Sequence, residues 1–137
     1  MIQNRLTIAG VLDQIPRACE FVVNAARQAG LNEEAVHHCY LAVDETCTNI
    51  IEHAYGGQPD AGYIELICQT DSTFFTITIK DDGPPFDPLA RPDPDPGEPL
   101  EARKTGGWGI YFIKNVMDEV NYMHDGQRNS LVMKKKV

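Results

Sequence analysis

The sequence is poor in positive charge. Twelve Lys and Arg stand against 20 Asp and Glu, a formal net charge of −8 over 137 residues. Binding to nucleic acid through the phosphate backbone needs a basic footprint, so this balance argues against direct nucleic-acid recognition. The one basic run, Lys134-Lys135-Lys136, reads as the solvated end of a strand. Long apolar runs are missing too: none approaches the roughly 18 residues that a membrane span needs. The N-terminus lacks the charged-then-apolar pattern of a secretory signal. Cysteine pairs at CxxC spacing are absent. Cys19, Cys39, Cys47 and Cys68 all sit in apolar-periodic contexts and read as reduced core residues of a cytoplasmic protein. His37, His38 and Cys39 are consecutive. Neighbours on a helix point about 100° apart, so these three do not converge on a metal. No internal repeat and no second domain is visible, and one domain over 1–137 is expected.

What is present is a regular alternation of patterns. Arg5 to Gly10 alternates like a short strand. Pro16 to Ala29 has helical periodicity, with Asp13 placed to cap it and Gly30 to stop it. Asn32 is suited to cap a second helix, with Glu33 and Glu34 at its positive end, running to about Tyr55 and stopping at Gly56-Gly57. Tyr63 to Thr70 and Thr73 to Lys80 read as a hairpin turning at Asp71-Ser72. Residues 81 to 104 hold seven of the nine prolines and are excluded from helix or central strand. Gly106 to Asp118 reads as a helix opened by glycines. Val120 to His124 and Ser130 to Lys136 read as a second hairpin around Asp125-Gly126. The segregation of strands and helices predicts an α+β fold: a two-layer sandwich with helices on one face of a mixed, mostly antiparallel sheet.

The second helix carries an unusual concentration of polar groups in DETCTNIIEHAYGG, residues 44 to 57. At about 100° per residue, Asn49 and Glu52 lie within roughly 40° of Glu45, with His53 about 80° from it. Val36, Cys39, Tyr40, Val43, Cys47, Ile50, Ile51 and Ala54 fall on the opposite half and can face a sheet. Leu41 and Ala42 flank the polar face one turn earlier. Glu45 and Asn49, at i and i+4, can touch one ligand. A solvated surface explains the same residues, and the helix alone does not decide between the two.

Two glycine segments add to it. Asp81-Asp82-Gly83 follows a strand, placing a carboxylate at a strand end where it can accept from a ligand amine; Asp-Gly is also common in plain turns. Thr105-Gly106-Gly107-Trp108-Gly109 precedes an amphipathic helix bearing Ile110, Ile113, Val116 and Met117. Glycines at a helix N-terminus let backbone N–H groups approach a phosphate, and a mobile hinge would use them equally. The segment is neither a P-loop nor a dinucleotide fingerprint.

Glu45-xxx-Asn49, then Asp81-x-Gly83, then Gly107-x-Gly109 behind a long loop, resembles the GHKL (Bergerat-type) ATPase fold shared by DNA gyrase, a heat-shock chaperone family, histidine kinases and MutL mismatch-repair proteins. DETCTNIIEHAYG, DDGPPFDP, GGWGIYFIKNVMDEVNY and GQRNSLVMK are most similar to the bacterial anti-sigma factor serine/threonine kinases. The resemblance spans nearly the whole chain. It implies ATP and Mg²⁺ as cofactors, with Asn49 coordinating the metal and Glu45 acting as the general base. It implies that Asp81 accepts from the adenine amino group and that Gly83 allows the base to approach. Residues 84–104 would form the lid, and Thr105, Gly106, Gly107 and Gly109 the phosphate-facing segment. The partners implied are a sigma factor and an anti-sigma-antagonist protein of the STAS type, phosphorylated on Ser or Thr, with a homodimer possible in this family.

Two features depart from the family pattern. Pro84 and Pro85 stand where histidine kinases carry more glycine, which favours the anti-sigma branch. Thr105 stands where some family kinases place an arginine, with Arg103 and Lys104 just upstream. This leaves open a non-catalytic ATP-binding module that switches protein partners. An enzyme unrelated to ATP, using Glu45 and His53 as an acid–base pair, is a third reading. The lid is expected to be mobile when empty, because it lacks regular structure. Hydrogen exchange checks this: residues 88 to 104 should gain protection when ATP is added, and equal protection with and without it counts against a lid.

Overall fold

The computed structural model describes residues 2–90 and 107–137. Five strands, β1 (Ile2–Ala9), β2 (Tyr63–Thr70), β3 (Phe74–Asp81), β4 (Glu119–His124) and β5 (Asn129–Lys136), form one sheet in the order β1-β2-β3-β5-β4. Every pairing is antiparallel. The hairpin turns are those the sequence marks. Asp71 accepts at one carboxylate oxygen from the Thr73 and Phe74 amides. Asp125 does the same for Gln127 and Arg128, and Gly126 has φ +94°.

Alternation along the strands puts one set of side chains on one face. The register aligns Leu6 and Ile8 with Leu66 and Ile64, then with Ile79 and Asp81, then with Leu131 and Asn129. That face is covered by α1 (Ile15–Gln28), α2 (Glu33–Asn49) and α3 (Gly107–Val116). Phe75, Ile77, Ile79, Met133, Val22, Val43, Cys39 and Ile113 have essentially no exposed surface. The opposite face carries charge, with Glu65 paired to Arg5 and Arg128. All four cysteines are buried and unpaired. Among the described residues no helix is long and apolar enough to cross a membrane.

The helix ends follow local chemistry, with three differences from the sequence reading. Asn32 caps α2, its side chain accepting from the Ala35 amide at 2.8 Å. Gly30, at φ +91°, closes α1, with Leu31 N–H reaching back to the Ala26 carbonyl. Asp13 does not cap α1: a 3₁₀ turn over Leu12–Gln14 intervenes, and Gln14 stands at the cap position without a side-chain bond. The second helix is α-helical only to Asn49. Ile50–Ala54 form a π turn, in which Tyr55 N–H bonds the Ile50 carbonyl five residues back at 2.8 Å. The buried arc of α2 is also displaced from the expected one. Ala42 is fully buried, whereas Tyr40 is 39% exposed. The cause is that α2 lies between α1 and α3 and packs on both, while Thr46 meets Met133 of β5.

Candidate functional site

The central strand β3 ends at Asp81, and this carboxylate is only 4% exposed. Its Oδ1 accepts from the Gly83 amide at 2.9 Å and from Asn129 Nδ2 at 3.0 Å. Among the described residues Oδ2 has no partner. Burial pushes the Asp81 carboxyl up, partly offset by the bonds from Asn129 and Gly83. A Cβ at Gly83 would come within 2.8 Å of Ala54 Cβ and 3.0 Å of Asp81 Oδ1, so the turn admits no side chain without a shift.

Asn129 is the residue at this end whose role the sequence did not disclose. It is 4% exposed and opens β5 directly opposite Asp81. Its amide nitrogen also donates to the carbonyls of Gly83 at 3.2 Å and Pro84 at 2.9 Å. Its oxygen accepts from the Phe86 amide at 3.2 Å and, through a very short bond, from the Tyr122 hydroxyl. The first residues of the long loop are therefore anchored. Phe86 stacks beside His53 with ring centroids 6.0 Å apart, and Pro88 is buried in a short 3₁₀ turn, Pro88–Ala90.

From Asp81 a narrow pocket runs under α2 to α3. It is lined by Thr46, Asn49, Ile50 and Ala54 from the helix side and by Ile79, Asp81 and Leu131 from the sheet, with Phe86, Pro88 and Ile110 closing it. Asn49 is 8% exposed and points a buried amide at this end of α2. Glu45, one turn earlier, is half-buried. Burial, then the charges of Asp44 and Glu52, raise its carboxyl above the ordinary value of 4.5. The first turn of α3 sits on Glu45: a Cβ at Gly109 would overlap its carboxylate. The N-terminus of a helix thus lies beside Glu45, with its unpaired N–H groups and positive dipole end. Glu52 and His53 are exposed, and neither lines the pocket. Thr105 and Gly106 lie outside the described residues, as does the loop from 91 onward; Gly107 is the first residue of α3.

The donor set fits a nucleotide with its metal. Apolar walls end at a buried carboxylate acceptor, which suits a base bearing an amino group. At the other end are a helix N-terminus and a buried amide, which suit phosphates. Among the described residues no cluster of three or more His, Cys, Asp or Glu could hold a metal by itself. A Mg²⁺ here would need phosphate and water oxygens beside Asn49, which is its usual preference. The pocket encloses about 30 Å³, whereas small-molecule pockets run to roughly 300 Å³ and above. Admitting a base therefore requires its walls to move, and Phe86 and Pro88 at the root of the long loop are part of those walls.

Comparison with known proteins gives the family. The sequence model of the histidine kinase-like ATPase domain matches residues 8–135. Serine-protein kinase RsbW of Bacillus cereus (strain AH187) is 30% identical over 134 residues, covering 95% of this chain and 74% of the relative. The protein of the same name from Bacillus thuringiensis (strain Al Hakam) is 31% identical over the same span. A solved structure of the RsbU and RsbW domains of a Mycobacterium tuberculosis protein superposes with a TM-score of 0.68 at 13% identity. It covers 98% of this chain and 32% of that longer one, a likeness of fold.

The position of Glu45 has a cost that a melt can read. A carboxyl whose folded pKa is raised adds most stability below its ordinary value of 4.5 and loses that contribution as pH rises through the raised value. At pH 7 the charged Glu45 therefore destabilises the fold. Glu45→Gln should melt higher than the wild type at pH 7, and the difference should shrink toward zero as pH falls to 4.5 and below. A difference that does not change with pH would show that burial of the charge is not its origin.

Proposed function

The chain belongs to the histidine kinase-like ATPase family, in its anti-sigma factor kinase branch, and from that premise we propose that it is an ATP-dependent protein serine/threonine kinase. In this reading it acts as an anti-sigma regulatory factor. It binds a sigma factor and phosphorylates an anti-sigma-antagonist protein of the STAS type. The observation that carries the reading is a pocket lined by both Asn49 and Asp81, with Glu45 one turn before Asn49 on α2 and against the first turn of α3.

Bound ATP with Mg²⁺ would supply the γ-phosphoryl group, with ADP leaving. Each end of the site has a task in holding and using it. Asp81 accepts from the amino group of the base, and Gly83, whose Cβ position Ala54 and the Asp81 carboxylate already fill, keeps the turn tight enough for the base to approach. The amides of Gly107 and Gly109 face the phosphates at the helix N-terminus. Asn49 offers one amide oxygen to the metal. Glu45 accepts the proton of the acceptor Ser or Thr hydroxyl as its oxygen attacks phosphorus. A positioned carboxylate contributes by orientation and proton acceptance, while the N-terminal dipole of α3, and a metal held beside Asn49, would neutralise charge on the transferring group. Burial and neighbouring acids raise Glu45, which makes it a better base than a solvated glutamate.

Calorimetric titration of ATP with Mg²⁺ into the wild type, Asn49→Ala and Glu45→Ala tests the reading, together with phosphate transfer to an antagonist protein. Asn49→Ala should weaken binding. Glu45→Ala should retain it and lose transfer by roughly 10²–10⁴-fold, the usual worth of a general base. Wild-type transfer should fall off on the acid side at a pH above 4.5, as the raised Glu45 carboxyl takes up its proton. Binding without transfer, with partner exchange unaffected in Glu45→Ala, would instead make the protein a non-catalytic ATP-binding switch. No binding to any of the three would remove both.

A further inference from the structure

Tyr55 stands at the end of the π turn, outside the pocket, and is 6% exposed. Its ring fits into space left by two glycines. A Cβ at Gly10 would come within 2.6 Å of the ring, and one at Gly62 within 2.9 Å of its hydroxyl. The hydroxyl donates to the Tyr63 carbonyl at 2.5 Å and accepts from the Asp82 amide at 2.9 Å. These two partners have a meaning in the sheet. The β2–β3 register ends with Ile64 opposite Asp81. One step further it would set Tyr63 opposite Asp82. The phenol sits in that step as a wedge, relaying a bond between the two strands where they part.

Asp82 is held from its other side as well. Its carboxylate lies 3.3 Å from Arg128 Nε, within ion-pair distance although off line for a hydrogen bond, and Arg128 also pairs with Glu65 at 3.1 Å. The phenol is pushed up by burial and stays protonated at neutral pH, so its donor role is constant. The residue immediately after the base-binding carboxylate is thus tied at its backbone to the C-terminal end of the metal-binding helix.

We propose that Tyr55 is a positioning residue for base recognition: its hydroxyl fixes the backbone at Asp82, and through it the aim of the Asp81 carboxylate. The inference rests on the reading of Asp81 as the acceptor for an adenine amino group. Without the hydroxyl, the Asp82 amide either closes directly onto the Tyr63 carbonyl or is left unpaired, and either change rotates the end of β3. A site built to meet an amino group loses selectivity when its acceptor is misaimed.

The experiment compares ATP with inosine triphosphate, which carries a carbonyl oxygen where adenine has the amino group. Affinities with Mg²⁺ are measured for the wild type, Tyr55→Phe and Gly62→Ala, alongside thermal melts. The wild type should prefer ATP. Tyr55→Phe keeps the ring between Gly10 and Gly62, and should weaken ATP by roughly three- to tenfold, the worth of one hydrogen bond. Inosine triphosphate should bind it as it binds the wild type, so the preference narrows. Gly62→Ala, whose new methyl displaces the phenol, should narrow it likewise. A purely structural role would lower the melting temperature and leave the ratio intact, and that result overturns the inference while base recognition by Asp81 stands. A wild type that binds both nucleotides equally would overturn the Asp81 reading itself, and the inference with it.

Discussion

A buried carboxylate at the end of the central strand organises one whole edge of this fold. Asp81 is almost fully removed from water. A carboxylate in such a place is tolerated only with hydrogen bonds to it. The protein supplies these by geometry that reaches across the sheet. β5 begins with Asn129 opposite Asp81, and the β3 exit turn bends so that the Gly83 amide returns to the same oxygen. The arrangement places both described bonds on one carboxylate oxygen and leaves the other without a partner among the described residues. The position of Asn129 is then no longer free to vary, and with it the register of the β4–β5 hairpin.

The second constraint is that α2 serves two surfaces at once. It is the middle helix, packed on α1, α3 and the sheet, so most of its circumference is core. Among these core positions it also carries Asn49, buried, and Glu45, half-buried. Burial that stabilises Ala42, Val43 and Cys47 is the same burial that penalises the charge on Glu45. Functional sites commonly carry such a local loss of stability. The π turn after Asn49 belongs to the same compromise. It widens the helix where Ala54 meets the glycine turn of β3, and it delivers Tyr55 to the sheet end. Such insertions recur at functional sites because they change the direction of side chains without ending the helix.

Much of this was legible from local chemistry. Asn32, Gly30, Asp71 and Asp125 act through bonds within a few residues, and each does in the structure what its type and position indicate. Glu45, Asn49, Asp81 and Gly83 were legible as candidates because their spacing is a property of one helix and one turn; the structure lines one pocket with Asn49 and Asp81, sets Gly83 against the Asp81 carboxylate and places Glu45 against the first turn of α3. Other features were hidden because they depend on partners distant in sequence. Ala42 and Tyr40 exchange expected places because a wheel does not know that α1 and α3 flank the helix. The π turn is a one-residue change in a hydrogen-bond ladder and leaves no pattern in hydropathy. Asn129 meets Asp81 from 48 residues away, and nothing local distinguishes it from a turn asparagine.

The pair Pro84-Pro85 explains why an asparagine, rather than a hydroxyl residue, suits position 129. Two successive prolines remove two N–H groups from the turn but leave its carbonyls. The turn is therefore rich in acceptors and poor in donors just where it passes a buried carboxylate. The acceptors are Asp81 Oδ1, the Gly83 carbonyl and the Pro84 carbonyl, at 3.0, 3.2 and 2.9 Å from Asn129 Nδ2. A serine or threonine hydroxyl has one proton to offer, whereas an amide has two and an acceptor besides. That acceptor takes the Phe86 amide, the first N–H after the prolines. One side chain thus offers two donors to three clustered acceptors of the turn and an acceptor to its first free amide. The rigid proline turn and the asparagine that faces it are parts of a single solution, and a substitution at either should be felt at Asp81.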